Sequence, residues 1–432
     1  MKLVFHGGAQ DVGKSCIELA TQNSRFLMDA GLKFKEHGFE APFQVFDLPK
    51  VDALLLSHAH LDHSGALPLF EHYNLVCPIY ATEQTRDLTT MLLKDSHKIA
   101  RIKHLHPAYD KMDLKKVLRA TNIVQFNKSY NVKNIEFKFI NAGHIPGSAM
   151  ILINVEGKKI LYTGDFKLRS TELMKGAETD FDKLLSDELK DVDILISETT
   201  YGGKTMPSHE EVEEEFLDRI SQVITKGSVV IPVFALGRAQ DILMMLSKRK
   251  WNVPIYLDGL CVDITKTILQ DDQSYLNKRQ VLSEMYNRRV EHVKKEKKRM
   301  QIIGNHAIFV TTSGMLQGGP ILAYLDNMWG NPNNAVFMTG YQCKRTNGQL
   351  LLDEGYIYLN GWKTIVKCQV QKFSFSGHAD DPQIRELISK INPRHLILQH
   401  GDPENSMIVK EWAELNLSCK VYVPKVGDTI EF

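Results

Sequence analysis

At 432 residues the chain exceeds one comfortable hydrophobic core and predicts two domains, or one interrupted by another. Its composition, 43% hydrophobic and 24% charged with a formal net charge of +1, excludes a disordered chain and a globally basic nucleic-acid binder, so any polyanion must be met by local charge. Cys16, Cys77, Cys261, Cys343, Cys368 and Cys419 form no C-x-x-C pair, and neither a secretory leader nor a bilayer-length apolar stretch is visible. Reduced core thiols, a cytoplasmic location and no membrane partner are expected.

Apolar runs at 2–5, 16–19, 26–28, 53–56, 135–140, 150–155, 160–162 and 194–196 have strand length, and turns such as Val155-Glu156-Gly157-Lys158 join several into hairpins. An α/β fold with an αββα sandwich is predicted for this part. After Thr200 the texture changes to helix 209–223, strand 229–234, helix 238–246 and strand 255–257, with further strands near 308–310 and 336–338. Such alternation predicts parallel βαβ units, hence an inserted module with its own mainly parallel sheet. Helix 383–391 and strand 396–398 then resume the first texture. The expected boundaries are 1–200, 201–374 and 375–432. The Lys/Arg-rich segment 287–299 reads as a solvated helix face, with RNA contact as its alternative; Glu210, Glu211, Glu213, Glu214 and Glu215 read as another solvated face.

The densest chemistry is His58-Ala59-His60-Leu61-Asp62-His63, directly after the apolar run 53–56. Imidazole and carboxylate suit zinc and similar ions, and ligands this closely spaced at a strand end can feed two adjacent metals. Other strand ends offer further donors: His144 in a Gly/Pro turn, Asp165 after 160–162, where a carboxylate can bridge two ions, and His400 after 396–399. His104-Leu105-His106 spells a similar pattern without a buried strand or carboxylate and is assigned to the surface. His6, His37, His72, His97, His209, His292, His306 and His395 are given no role for the same reason.

These residues sit in motifs that resemble the β-CASP family of metallo-β-lactamase-fold nucleases, nearest to archaeal homologues of the cleavage and polyadenylation specificity factor endonuclease. The resemblance spans essentially the whole chain: the opening loop from Gly8 to Cys16, Met28-Asp29-Ala30-Gly31, the metal motifs at His58 to His63, His144 and Asp165, and Ser197-Glu198-Thr199-Thr200-Tyr201-Gly202. It continues through Ile231 to Gln240, Thr312-Ser313-Gly314-Met315, Phe375-Ser376-Gly377-His378-Ala379-Asp380 and Gln399-His400-Gly401-Asp402. Asp11 and Asp402 stand where relatives usually carry Glu, and no KH modules are seen. RNA affinity is therefore expected to come from a cleft, a partner or a second copy of the chain.

Carried over, the resemblance implies two Zn ions, one held by His58, His60 and His144, the other by Asp62, His63 and His400, with Asp165 bridging. Asp29 would orient ligands, and His378, steered by Glu198, would face the scissile phosphate. Two ions about 3.5–4 Å apart activate a water and clamp an in-line displacement at phosphorus. The expected activity is hydrolysis of single-stranded RNA, in 3′-end processing or RNA decay, with a homodimer or a processing or decay complex as the assembly. Arg238, Ser313, Gly314, Lys344, Arg345 and Ser376 are candidate RNA contacts, against a purely structural role. Rival readings are a ribonuclease J-like 5′–3′ exonuclease and, from another class, a non-catalytic RNA-binding subunit. The intact ligand set disfavours the latter.

Overall fold

The computed structural model describes residues 1–35, 38–185, 187–271 and 275–432, so His37 lies outside the described residues. They divide into two compact units: Met1–Ser170 with Met174–Thr205 and His378–Phe432, and Thr171–Leu173 with Met206–Gly377.

The first unit contains two seven-stranded sheets. One has the order Thr429–Glu431, Lys2–Gly7, Cys16–Ala20, Arg25–Met28, Ala53–Leu55, Ile79–Ala81 and Thr121–Ile123; the other runs Lys420–Tyr422, His395–Gln399, Ile194–Glu198, Lys158–Tyr162, Ala149–Val155, Ile135–Asn141 and Ser129–Val132. Period-two alternation makes them stack. Phe26, Met28, Ala53 and Leu55 meet Phe137, Phe139, Ile151, Ile153, Ile160 and Ile196 in one shared core. The intervening Leu27 and Leu54 point the other way, onto Leu67, Phe70, Leu93, Leu114 and Val117 from helices. Met150, Leu152, Leu161 and Leu195 likewise meet Phe181, Ile384, Leu387 and Val409. The result is α/β/β/α, each fully buried large apolar side chain contributing about 2 kcal/mol.

Hairpins account for only part of these sheets. Arg25–Met28, Ala53–Leu55 and Ile79–Ala81 pair in parallel, as do Lys158–Tyr162, Ile194–Glu198 and His395–Gln399, because long crossovers rather than tight turns connect them. Parallel pairing brings successive C-terminal strand ends to one edge of each sheet.

The second unit has a six-stranded sheet of order Val290–Val293, Ile255–Asp258, Ile308–Thr311, Val229–Pro232, Ala335–Met338 and Gln369–Lys372, parallel throughout. Val229–Pro232 is buried at every position, which explains its unbroken apolar text. A two-stranded hairpin, Tyr356–Leu359 with Trp362–Ile365, stands outside that sheet.

Several expectations need correction. Segment 287–299 is no continuous helix: a π-helical turn, Met285–Arg289, gives way to strand Val290–Val293 and then helix Glu296–Ile302. Pairing with Ile255–Asp258 outweighs the helical charge pattern, and Arg289 donates to the carbonyls of Ser247 and Arg249 rather than to solvent. Glu213 is buried and ion-paired with Lys248, unlike its exposed neighbours Glu214 and Glu215. Cys343 is exposed and Cys419 half-buried, so the thiols are not uniformly core. Among the described residues no helix is long and apolar enough to cross a membrane.

Candidate metal centre

The site is assembled at strand ends. Beyond Ala53–Leu55 the chain turns at His60 into the short helix Leu61–Ser64, which separates His58 and His60 from Asp62 and His63. Asp29 follows Arg25–Met28, His144 follows Ile135–Asn141, Asp165 follows Lys158–Tyr162, Glu198 ends Ile194–Glu198, and His400 follows His395–Gln399. Gly164 permits the turn into Asp165: its φ is +52°, and a Cβ there would lie 2.8 Å from the Ser57 Cβ.

Asp165 is the hub. Its Oδ1 lies 3.0 Å from His400 Nδ1 and 3.3 Å from His63 Nε2, and its Oδ2 lies 3.5 Å from His58 Nε2 and 3.8 Å from His144 Nε2. His60 Nδ1 stands 3.1 Å from His144 Nε2, and His400 Nε2 is 3.6 Å from Asp62 Oδ2. Two donor sets result, His58, His60, His144 and Asp165, and Asp62, His63, Asp165 and His400, each with ligand atoms within 4.8 Å of one another.

None of these approaches has hydrogen-bond geometry at His58 Nε2 or at either Asp165 oxygen; all three atoms are buried without a hydrogen-bond partner. Buried polar groups are ordinarily paired, so convergent orphans among imidazoles and a carboxylate fit cation coordination.

The surrounding hydrogen bonds aim these rings. Asp29, fully buried, accepts from the Ser57 backbone N–H at 2.7 Å, the Ser57 hydroxyl at 2.7 Å, the Tyr162 hydroxyl at 2.6 Å and His63 Nδ1 at 2.7 Å. A carboxylate only accepts, so His63 carries its proton on Nδ1 and turns Nε2 toward Asp165. Ser57 Oγ, having donated to Asp29, accepts from His58 Nδ1 at 3.0 Å, which leaves His58 Nε2 unprotonated and able to accept a cation. Ser57 and Tyr162 were not singled out in the sequence, because a serine beside histidines and a tyrosine ending an apolar run read as turn and core.

His378 forms a third, overlapping group with Glu198 and Asp165. Its Nδ1 is 3.0 Å from Glu198 Oε2 and 3.9 Å from Asp165 Oδ2, with about one-fifth of its side chain exposed. Glu198 is fully buried and fixed by the Phe166 N–H at 2.6 Å and the Thr200 hydroxyl.

Burial, and next the charge of His63, pushes His58 well below the ordinary imidazole range, and burial lowers His60. Burial also opposes charge on His63, His378 and His400, but Asp165 and Asp29 raise His63, Glu198 and Asp165 raise His378, and Asp165 with Asp62 raises His400 to about 10. Burial alone would raise the Asp165 carboxyl, yet the surrounding His400, His63 and His378 hold it well below the carboxylate range.

The six candidate RNA contacts all belong to the second unit. Arg238 is engaged there, donating to Asp241 Oδ2 at 3.2 Å and to the Phe375 carbonyl at 2.7 Å. Ser313 Oγ donates to the Gly318 carbonyl, and the Gly314 carbonyl accepts from Gln342. Lys344 and Arg345 are exposed, and Ser376 is half-buried. His104 and His106 are exposed as expected, whereas His6 is buried with its Nε2 2.9 Å from Glu18, so it does have carboxylate company.

Family models match three stretches: a metallo-beta-lactamase superfamily domain over 18–196, a Beta-Casp domain over 239–351, and a Zn-dependent metallo-hydrolase RNA specificity domain over 364–424. A Methanocaldococcus jannaschii protein named "Probable RNase MJ4" is 40% identical, covering 100% of both chains. "RNase aCSPSF2" of Saccharolobus solfataricus is 31% identical over 98% of this chain and 84% of its own. "Transcription termination factor FttA" of M. jannaschii is 31% identical over 100% of this chain and 71% of its own. A crystal structure of an Enterococcus faecalis V583 protein of unknown function superposes with a TM-score of 0.62 and 14% identity over 99% of each chain, which bears on the fold alone. With its sandwich, its inserted parallel-sheet domain and full-length relatives at this identity, the chain belongs to the β-CASP family of metallo-β-lactamase-fold metallohydrolases.

Proposed function

We propose that this protein is a zinc-dependent ribonuclease that hydrolyses phosphodiester bonds of single-stranded RNA. The observation that carries the reading is the convergence of two donor sets on one buried carboxylate whose oxygens have no hydrogen bond. In this reading His58, His60 and His144 hold one ion, Asp62, His63 and His400 the other, and Asp165 serves both. Such a pair supplies an activated water at neutral pH and neutralises charge on the phosphoryl oxygens.

The chain's own residues do the rest. Asp29 and Ser57 hold the His63 and His58 tautomers. Glu198 orients His378, whose remaining ring nitrogen is the candidate proton donor to the departing oxygen. The names of two relatives, both called RNases, support RNA as substrate; RNA processing or decay is the setting we propose. We further propose domain boundaries at 201 and 374, and a cytoplasmic protein acting as a homodimer or within a processing complex.

Metal analysis of the purified protein, combined with cleavage of end-labelled single-stranded RNA, tests the reading. About two zinc ions per chain and metal-dependent cutting are expected; no bound metal, or metal-independent cutting, would sink it. Substrates with and without a 5′-monophosphate separate the two modes. A 5′-phosphate-dependent ladder of mononucleotides marks the exonuclease, and internal fragments indifferent to the 5′ end mark the endonuclease.

A further inference from the structure

The hairpin Tyr356–Leu359 with Trp362–Ile365 is an amphipathic ribbon in the second unit. Ile357 and Leu359 are buried in that unit's core. By strand alternation Tyr356 and Tyr358 face away from it, directly opposite Ile365 and Lys363. This outer face stays open, with Tyr358 49% and Ile365 68% exposed; Trp362 pairs with Leu359 and so starts from the other face, but at the turn it overhangs the core and is 78% exposed. Leaving three large apolar side chains in water on eight residues of strand demands a reason beyond packing.

The face carries positive charge among its rings. Lys363 Nζ lies 3.8 Å from the Tyr356 ring centroid, and the Tyr356 and Tyr358 rings meet edge to face at 5.7 Å. Asn347 binds both backbone groups of Tyr358, donating to its carbonyl at 2.9 Å and accepting from its N–H at 2.8 Å. Arg345 precedes Asn347 by two residues, at most about 7 Å of backbone, with Lys344 next to it in the chain. Both are exposed. Glu354, next to Tyr356, is the acidic group at the far end of the ribbon.

Aromatic planes interleaved with cations are what an unpaired nucleic-acid strand uses: bases stack, and phosphates meet Lys and Arg. A folded partner fits less well. A ribbon about 14 Å long and 10 Å wide offers on the order of 150 Å², against about 800 Å² per partner in a stable protein interface. We propose that this hairpin is an RNA-binding platform, stacking bases on Tyr358 and Trp362 while Lys363, Lys344 and Arg345 engage the backbone. The choice of RNA rests on the ribonuclease reading; the stacking geometry does not.

The test uses the full-length metal-loaded protein and its Tyr358→Ala, Trp362→Ala and Lys363→Glu variants. Three quantities are measured: KM for a 20-nucleotide single-stranded RNA, hydrolysis of bis(p-nitrophenyl) phosphate, and mass by light scattering. Each aromatic substitution is expected to raise KM for the RNA roughly 5- to 100-fold, with the small diester hydrolysed at the parental rate and the mass unchanged. Parental KM in all three variants overturns the platform, as does a change in oligomeric state without a change in KM, which would make the face a protein interface. A parental protein that hydrolyses the small diester but never RNA would sink the ribonuclease reading as well.

Discussion

Two buried acids at strand ends, one in each unit, are treated in opposite ways. In the inserted unit Asp258 closes Ile255–Asp258 and is fully answered: Arg299 donates to it twice, at 2.7 and 3.0 Å, and the Tyr324 hydroxyl at 2.9 Å. In the first unit Asp165, equally buried, is ringed by imidazoles that approach without forming hydrogen bonds. The contrast teaches where to look for chemistry. A buried acid answered by Arg and Tyr, as Asp258 is, ties its own unit together, whereas one left open among ligand-type atoms fits a cation.

The largest expected effect follows at Asp165. Asp165→Asn keeps the shape and removes the charge that serves both donor sets, so RNA cleavage should fall by at least about a thousand-fold. Metal content should drop below that of the parent while far-UV circular dichroism is retained. Full metal occupancy with parental cleavage would erase the distinction between the two acids.

The complementary break is Asp258→Ala. It strands Arg299 and the Tyr324 hydroxyl, and removing one partner of such a buried pair costs about 3–5 kcal/mol. An earlier urea transition with unchanged zinc stoichiometry is expected. A shift in metal content, or no shift in the transition, would mean that Asp258 is not the structural counterpart proposed here.

Much of this contrast is legible in the sequence. Ligand-type residues directly after apolar strands marked His58 to His63, His144, Asp165 and His400, because a strand end fixes a side chain that the next turn exposes. The helix–strand alternation after Thr200 marked the inserted sheet. What escaped was set by tertiary partners. Glu213 sits in an acidic run yet is buried against Lys248. Val290–Val293 has too few residues to declare itself a strand without its neighbour. Thr171–Leu173 joins the second unit because the Leu173 N–H donates to Asp241 and its carbonyl accepts from the Asn277 N–H, contacts about 70 and 100 residues away in sequence that no local pattern announces.

Tyr162 sharpens the comparison from inside the first unit. Its hydroxyl is one of four donors on Asp29, so Tyr162→Phe should leave the fold nearly intact, at about 1 kcal/mol, while loosening the carboxylate that sets His63. Zinc affinity measured by competition with a chelating dye should weaken about ten-fold, the scale on which partners of ligand histidines act. An unchanged affinity would leave this hydroxyl with core packing alone.

An effect outside the candidate metal centre is expected at Glu18, a first-unit acid satisfied like Asp258. His6 Nε2 lies 2.9 Å from one oxygen and Arg25 Nε 2.6 Å from the other. Burial alone would raise the Glu18 carboxyl, but these two hydrogen bonds outweigh it and hold the group below its ordinary value of 4.5. A depressed folded-state value stabilises the protein above pH 4.5 and is lost as pH falls through that lower value. Glu18→Gln should therefore cost about 1–2 kcal/mol at neutral pH and flatten the acid limb of the stability curve, followed by urea melts between pH 3 and 7. An acid limb as steep as the parent's would assign that limb to other carboxylates and leave the His6–Glu18–Arg25 cluster without a measurable share in stability.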